Sequence, residues 1–204
     1  MIRLPIDECL SGMDKTIKNA TRLTKEGSFL ESKNSPTAIF LYAIAIEELS
    51  KAYTLGIAAI AILEKGKLDW DRFWKGFRNH KFKQTGLLKM ILFAQELVAN
   101  DFDDIKKKKP EILFMYNTRA DVIKKIKQIH KDIERVEKGE MERLKWDHLY
   151  VDYLNGQWKS PKVGMKESFL SKYNIKVYLT DIKRMKSDIE GEIKRRNDIN
   201  VPSV

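Results

Sequence analysis

The chain has 204 residues, of which 43% are apolar and 33% charged, and this balance excludes a disordered chain and indicates one folded domain over residues 1–204. Lysine and arginine total 39 against 29 acidic residues, so the net charge is +10. That charge favours a polyanion such as RNA or an acidic protein as partner, with plain solubility as the alternative. The single cysteine, Cys9, excludes an intrachain disulfide, and with no signal-peptide pattern at the start it predicts a cytoplasmic protein.

The first two predicted elements are long helices. Apolar residues at three- and four-residue steps predict one from about residue 5 to 26, followed by a turn over 27–34. The second, Ser35–Leu63, is apolar on nearly every face, which is typical of a helix that the rest of a soluble protein surrounds. Ser35 is expected to cap this helix, with Pro36 in its first turn.

Three charged residues interrupt this apolar helix: Glu47, Glu48 and Lys51. Charges at mid-helix make a membrane span too costly, so we expect no membrane association. Glu47 and Lys51 are four residues apart and are expected to pair on one face, while Glu48 needs a partner from another helix. The group is either a structural ion-pair network or a carboxylate that orients a catalytic histidine or arginine.

A short aromatic helix and a basic segment come next. Asp69 is expected to cap the helix, whose one-sided rings are typical of core packing, and His80 follows it between Arg78 and Lys83. Such a histidine could exchange protons with a ribose 2′-hydroxyl while the cations stabilise a phosphorane, or it could simply end a solvated basic helix. The surrounding stretch contains no acidic residue and six basic ones: Arg72, Lys75, Arg78, Lys81, Lys83 and Lys89.

The chain after residue 86 is predicted to contain three more helices and one hairpin. A helix over 87–99 is followed by a charged connector over 101–109 and a long helix that opens at Pro110. The long helix has a narrow apolar seam for an antiparallel helix or a dimer contact. Alternating residues on either side of an Asn-Gly turn predict a β-hairpin near 149–159, and a last helix covers about 166–196.

A second arginine and histidine, Arg143 and His148, lie five residues apart, which by itself is a weak signal. The sequence has no P-loop, GxGxxG, HExxH or GxSxG motif, so nucleotide hydrolases, dinucleotide enzymes, zincins and serine hydrolases are not favoured. The predicted class is all-α with one short hairpin.

Three separate stretches resemble signatures of the AbiV-type abortive-infection family, in the same order along the chain. Residues 45–52 are similar to its A-x-E-E-L-x-K-A signature, and residues 77–83 to its F-x-x-H-x-x-K segment. Residues 149–161 are similar to its L-Y-V-D segment and the W-x-S-P that follows. The likeness extends over roughly residues 10 to 195.

This resemblance implies a HEPN-like helical bundle that acts in phage defence. Many HEPN proteins are metal-independent ribonucleases that dimerise around a basic cleft and use an Arg-x(4–6)-His motif. AbiV-type proteins shut down translation in the infected cell after a phage-encoded protein triggers them. The implied partners are therefore RNA or the ribosome, a phage trigger protein and a second copy of the chain, with no cofactor and no metal.

The family motifs carry over to Glu47, Glu48, Lys51, His80 and Lys83, and chemistry adds Arg78. We expect His80 to act as general acid and base, Arg78 and Lys83 to bind the phosphate, and a glutamate to orient His80. Arg143 and His148 remain the competing pair because their spacing fits the group's motif. The expected RNA-binding residues are Arg72, Lys75, Lys81 and Lys83. The alternative function is a toxin without chemistry that binds RNA, the ribosome or a phage protein through the same surface.

Overall fold

The computed structural model describes residues 2–108, 118–140, 143, 152–154, 157–159 and 172–199. These residues form a predominantly helical structure, as the sequence predicts. The elements in chain order are α1 (Ile6–Ser32), α2 (Thr37–Leu63), α3 (Trp70–Arg78), α4 (His80–Asn100), α5 (Phe102–Lys108), α6 (Arg119–Glu137), β1 (Asp152–Leu154), β2 (Gln157–Lys159) and α7 (Lys172–Ile199).

The central position predicted for α2 is confirmed. It packs against α1, α3, α4 and α7, and its buried residues, such as Tyr42, Ile46 and Leu49, lie in the main apolar cluster. Its start differs from the prediction, because the helix begins at Thr37 after Pro36 and no side chain caps it. The backbone carbonyl of Ser35 instead accepts a hydrogen bond from the N–H of Ala38.

Helix α1 is longer than its apolar periodicity indicates. The predicted turn over 27–34 is wrong in its first half, because Gly27 is a buried helical residue and α1 continues to Ser32. The chain turns only afterwards, where Asn34 adopts a left-handed φ of 55°, which asparagine tolerates better than most residues. A glycine fits at this position of the helix because the Tyr42 ring of α2 leaves no space for a side chain.

The start of α4 is the largest difference from the sequence prediction. We expected a helix from residue 87, but α4 begins at His80, only one residue after α3 ends. Asp69 caps α3 as predicted, and its carboxylate accepts the backbone N–H of Arg72 at 3.0 Å. Asn79 separates the two helices and caps α4. His80 is therefore in the first turn of a helix and not near the last carbonyls of one.

The expected connector over 101–109 contains a helix, α5. Its Phe102 is buried beside Ala99 and Val122 in a second, smaller apolar cluster, and this burial explains why the segment is helical. Helix α6 begins at Arg119 behind a capping box made by Thr118 and Asp121, and not at Pro110, which lies outside the described residues.

The narrow seam predicted on α6 is confirmed, and its partner is α4. The two helices are antiparallel, since Lys89 pairs with Glu137 at 2.9 Å while Glu96 approaches His130 at 3.9 Å. The seam consists of four buried residues and one partly buried one: Val122, Ile126, Ile129, Ile133 and Val136.

Outside the helices, β1 and β2 pair antiparallel, with Tyr153 opposite Trp158. They occupy part of the 149–159 segment, whose other residues lie outside the described ranges. Helix α7 packs against α1 and α2, and its described part begins at Lys172, so residues 166–171 of the predicted last helix are also outside. Among the helices of the described residues, none combines the length and the hydropathy that a bilayer crossing requires.

Candidate functional site

The first turn of α4 presents three polar side chains to α2. The side-chain oxygen of Asn79 accepts the backbone N–H of Phe82 at 3.0 Å, and this cap determines where the helix begins. His80, Lys83 and Gln84 then follow at spacings of three and four, which puts them on one face. Because α4 packs against α2, that face meets Glu47.

Glu47 contacts all three side chains. Its Oε2 lies 2.6 Å from Nδ1 of His80 and 3.5 Å from Nζ of Lys83. Its Oε1 accepts a hydrogen bond of 2.8 Å from Nε2 of Gln84. Glu47 and Lys83 are each only 5% exposed. Burial without a partner would be very costly for either charge, so the Lys83 ammonium neutralises the Glu47 carboxylate inside the protein.

His80 differs from its partners because 63% of its side chain is exposed. An ionised carboxylate can only accept hydrogen bonds, so the ring nitrogen that faces Glu47, Nδ1, carries a proton. In the neutral imidazole, Nε2 is then the nitrogen that can take a proton from a bound molecule. A buried carboxylate that orients a histidine in this way is one arrangement that enzymes use for general-base catalysis.

Glu48 and Lys51 form a separate pair, with Lys51 Nζ 2.5 Å from Glu48 Oε1. The predicted pairing of Lys51 with Glu47 is wrong, because α4 supplies the partners of Glu47. Of the two glutamates, the structure brings Glu47 to His80, while Glu48 neutralises a lysine of its own helix.

The predicted RNA-binding cations divide between the surface and the interior. Arg72, Lys75 and Arg78 are exposed and lie three residues apart on α3. The guanidinium of Arg78 lies 5.8 Å from the ring centroid of Trp74, a cation–π contact that holds it at the end of α3. Lys83 is buried beside Glu47, so it balances charge inside the site instead of extending into solvent. The side chain of Lys81 lies outside the described part of the structure.

Of the competing pair, Arg143 and His148, the structure describes only the arginine. Arg143 is exposed and its backbone N–H bonds the carbonyl of Gly139, but His148 lies outside the described residues. His130 lies on α6 and is exposed beside Glu96, without a buried carboxylate. Within the described ranges, no group of three or more histidine, cysteine, aspartate or glutamate side chains is arranged to hold a metal ion.

Sequence reasoning missed Gln84. Its amide is buried, 1% exposed, and holds the second oxygen of Glu47. The signal was the spacing of four residues from His80, which is informative only once α4 is known to begin at His80 and not at residue 87.

Comparison with known proteins bears on the family. The HEPN_AbiV family model, described as AbiV, matches residues 8–176, a range that contains Glu47, His80 and every partner described above. Searches of the curated proteins and of the solved structures gave no match. The family that the three sequence signatures indicate is confirmed. The chain belongs to the AbiV family of HEPN proteins, and this membership indicates a role in abortive infection, the defence of a cell population against phage.

Proposed function

We propose that this protein is a phage-defence effector that arrests translation by cleaving RNA, without a metal ion, at the His80 site. The observation that carries the proposal is the exposed imidazole of His80 held at Nδ1 by the buried carboxylate of Glu47, 2.6 Å away. A ribose 2′-hydroxyl is one substrate group that such a base can activate without further cofactors.

In the proposed reaction, Nε2 of His80 removes the proton from the 2′-hydroxyl, and the 2′-oxygen attacks the adjacent phosphorus. The bond from phosphorus to the 5′-oxygen of the next nucleotide breaks, and the imidazolium returns its proton to that oxygen. The products are a 2′,3′-cyclic phosphate and a 5′-hydroxyl. Glu47 stabilises the imidazolium while it exists, and the Arg78 guanidinium stabilises the charge that develops on the phosphorane.

The exposed cations of α3 supply the contacts to the RNA backbone. Arg72, Lys75 and Arg78 present three positive charges beside the segment that leads into His80. In this proposal Lys83 balances the charge of Glu47, because it is buried 3.5 Å from the carboxylate, and the phosphate contacts come from α3. The proposal includes a homodimer in the cytoplasm and a phage protein as trigger. Sedimentation of the free protein measures whether it is a dimer.

The test is cleavage of total cellular RNA by the purified protein in EDTA, with and without extract of phage-infected cells. We expect fragments that end in 2′,3′-cyclic phosphate and a loss of about 100-fold or more with His80→Gln. The matched control is His130→Gln, because His130 is exposed beside a glutamate in the same way but lacks the buried partner. Intact RNA under both conditions at high protein concentration refutes the nuclease.

A toxin that binds without chemistry is the second candidate, and the row of exposed cations on α3 favours it. It predicts that His80→Gln still arrests growth when expressed, whereas Arg72→Glu with Lys75→Glu does not. The charge reversal is placed on α3 because reversal at buried Lys83 would unfold the protein. Arrest that depends on His80 and survives the reversal excludes this candidate.

A further inference from the structure

A cleft lies between the end of α2 and the C-terminal half of α7. It is an open cleft of about 450 Å³. The cleft is far from the Glu47–His80 site, since Ile60 in its wall follows Glu47 by thirteen residues of one helix, roughly 20 Å at 1.5 Å per residue. Its lining residues are Ile60, Leu63, Glu64, Asp181, Arg184, Met185, Asp188, Ile189 and Glu192.

The floor of the cleft is apolar. Ile60 and Leu63 of α2 face Met185 and Ile189 of α7 across it. Ile60 is 39% exposed, and Ile57, one turn earlier on the same helix, is 41% exposed. Branched aliphatic side chains that remain this open beside a cleft lose contact with water when an apolar partner covers them.

Arg196 joins α2 to α7 beside the cleft. Its guanidinium donates to the backbone carbonyl of Leu63 at 2.5 Å and to the carboxylates of Glu64 at 2.7 Å and Glu192 at 2.6 Å. These bonds join the last turn of α2 to α7 and satisfy a carbonyl that a helix end would otherwise leave unpaired. Arg196 therefore links residues of both helices that line the cleft, Glu64 of α2 and Glu192 of α7.

The rim of the cleft is acidic. Four carboxylates and one guanidinium, that of Arg184, line it. Arg195 and Arg196 together neutralise Glu192 and Glu64, but neither Asp181 nor Asp188 forms a salt bridge with another residue that the structure describes. Partial desolvation raises the pKa of the Asp181 carboxyl, and nearby Arg184 lowers it by less, so this carboxylate would gain from a further cation.

We propose that this cleft binds a basic amphipathic helix of a partner protein, with aliphatic side chains on the floor and lysine or arginine paired with Asp181 and Asp188. The two aspartates are seven residues apart on α7, on either side of Met185, so they match two cations two turns apart on a partner helix that runs alongside. A groove between two helices is a common receptor for such a ligand.

Charge decides between the possible occupants. The whole chain has a net charge of +10, so a basic ligand is repelled from most of its surface and attracted at this rim. RNA would meet carboxylates here and is disfavoured for the same reason. The proposal is independent of RNA cleavage at His80 and stands or fails without it.

The test is fluorescence anisotropy with a rhodamine-labelled 18-residue peptide of leucine and lysine, with leucine at helical three- and four-residue spacing. We expect saturable binding to the full chain in 0.15 M salt. Asp181→Asn with Asp188→Asn should weaken it about tenfold, and Ile60→Ser should weaken it as well. The matched control, Asp71→Asn with Asp103→Asn, removes two exposed carboxylates elsewhere and should leave the dissociation constant unchanged.

Two further peptides and one measurement make the result decisive. A peptide of the same composition with its leucines scrambled, and one with glutamate for lysine, should both bind at least tenfold more weakly. Equal binding by either peptide, or an unchanged dissociation constant in the Asp181 and Asp188 variant, overturns the proposal. Sedimentation of the wild type as a dimer and of Ile60→Ser as a monomer would also overturn the proposal, because the cleft would then be an interface between copies.

Discussion

Glu47 determines the chemistry of the proposed site because it is a buried charge with three polar partners on one neighbouring helix. The same carboxylate fixes the His80 ring, keeps the Lys83 ammonium inside the protein and joins α2 to α4. A residue with both roles contributes to stability and function together. Its neighbour Glu48, by contrast, pairs with Lys51 of the same helix and with no other residue that the structure describes.

Substitution of each glutamate should therefore change the free energy of unfolding by very different amounts. Glu47→Gln leaves the Lys83 ammonium buried without a counter-charge, which should lower the free energy of unfolding by about 3–5 kcal/mol. Glu48→Gln removes a partly exposed pair and should cost about 1 kcal/mol or less. Urea unfolding followed by circular dichroism measures both.

A double variant controls for the loss of the carboxylate itself. Glu47→Gln with Lys83→Met removes both buried charges and should recover most of the stability lost in the single variant. If the double variant is as unstable as Glu47→Gln alone, the buried pair is not the reason for the loss.

A second prediction concerns Tyr42, whose buried hydroxyl donates to a carboxylate oxygen of Glu31 at 3.0 Å. Burial, more than the neighbouring Glu31, raises the pKa of Tyr42. A raised pKa in the folded state means that the stabilisation is complete below the unfolded pKa of about 10 and is lost as pH rises above it.

Tyr42→Phe should therefore cost about 1 kcal/mol at pH 8, where the hydrogen bond is intact. The advantage of the wild type should then shrink by up to about 1.4 kcal/mol for each pH unit above 10. Parallel unfolding of the two proteins between pH 8 and 11 checks this, and a constant difference across that range would contradict it.

At the scale of the elements, helix type and order could be predicted from the sequence, and boundaries could not where polar residues face the site. Continuous apolar sequence identified α2 and apolar periodicity identified the seam of α6, because both form continuous apolar surfaces. Periodicity failed at the start of α4, where His80, Lys83 and Gln84 replace the apolar residues that mark a buried face. The partner of Glu47 was missed for a related reason, since contacts between helices override the local four-residue rule.

Helix α1 shows the opposite error, because the helix continues through Gly27, where the sequence predicts its end. A Cβ at Gly27 would lie 2.8 Å from Cε1 of Tyr42, so Gly27→Ala should destabilise by about 1–3 kcal/mol despite the better helix propensity of alanine. Gly191 in α7 is the control, because nothing lies within 4 Å of its added Cβ. Gly191→Ala should stabilise by roughly 0.5–1 kcal/mol. Thermal unfolding of both variants gives the comparison, and equal signs would contradict the packing explanation.

At the scale of the whole molecule, basic and acidic side chains are concentrated in different regions. The exposed cations Arg72 and Lys75 lie on α3, whereas the acidic rim with Asp181 and Asp188 belongs to α7. The net charge of +10 combines both, so composition predicted a polyanionic partner but not that one cleft would be acidic. Under the two proposals, RNA and a basic partner protein bind separate surfaces.

Salt dependence distinguishes these surfaces. Arg72→Glu with Lys75→Glu should weaken binding of a 2′-deoxy oligonucleotide and reduce the slope of log K against log salt by about 1.4, for two lost phosphate contacts. Asp181→Asn with Asp188→Asn should not weaken it. Equal weakening by both double variants would mean that the oligonucleotide does not distinguish the two surfaces.

The most direct test of the central claim is the protonation of the His80 ring, measured by ¹⁵N NMR on protein labelled at its three histidines, with His80→Gln to assign the signals. The proposed base requires, at pH 8, a proton on Nδ1 facing Glu47 and an unprotonated Nε2. A neutral His80 with its proton on Nε2, or the same mixture of forms as exposed His130, would contradict the account.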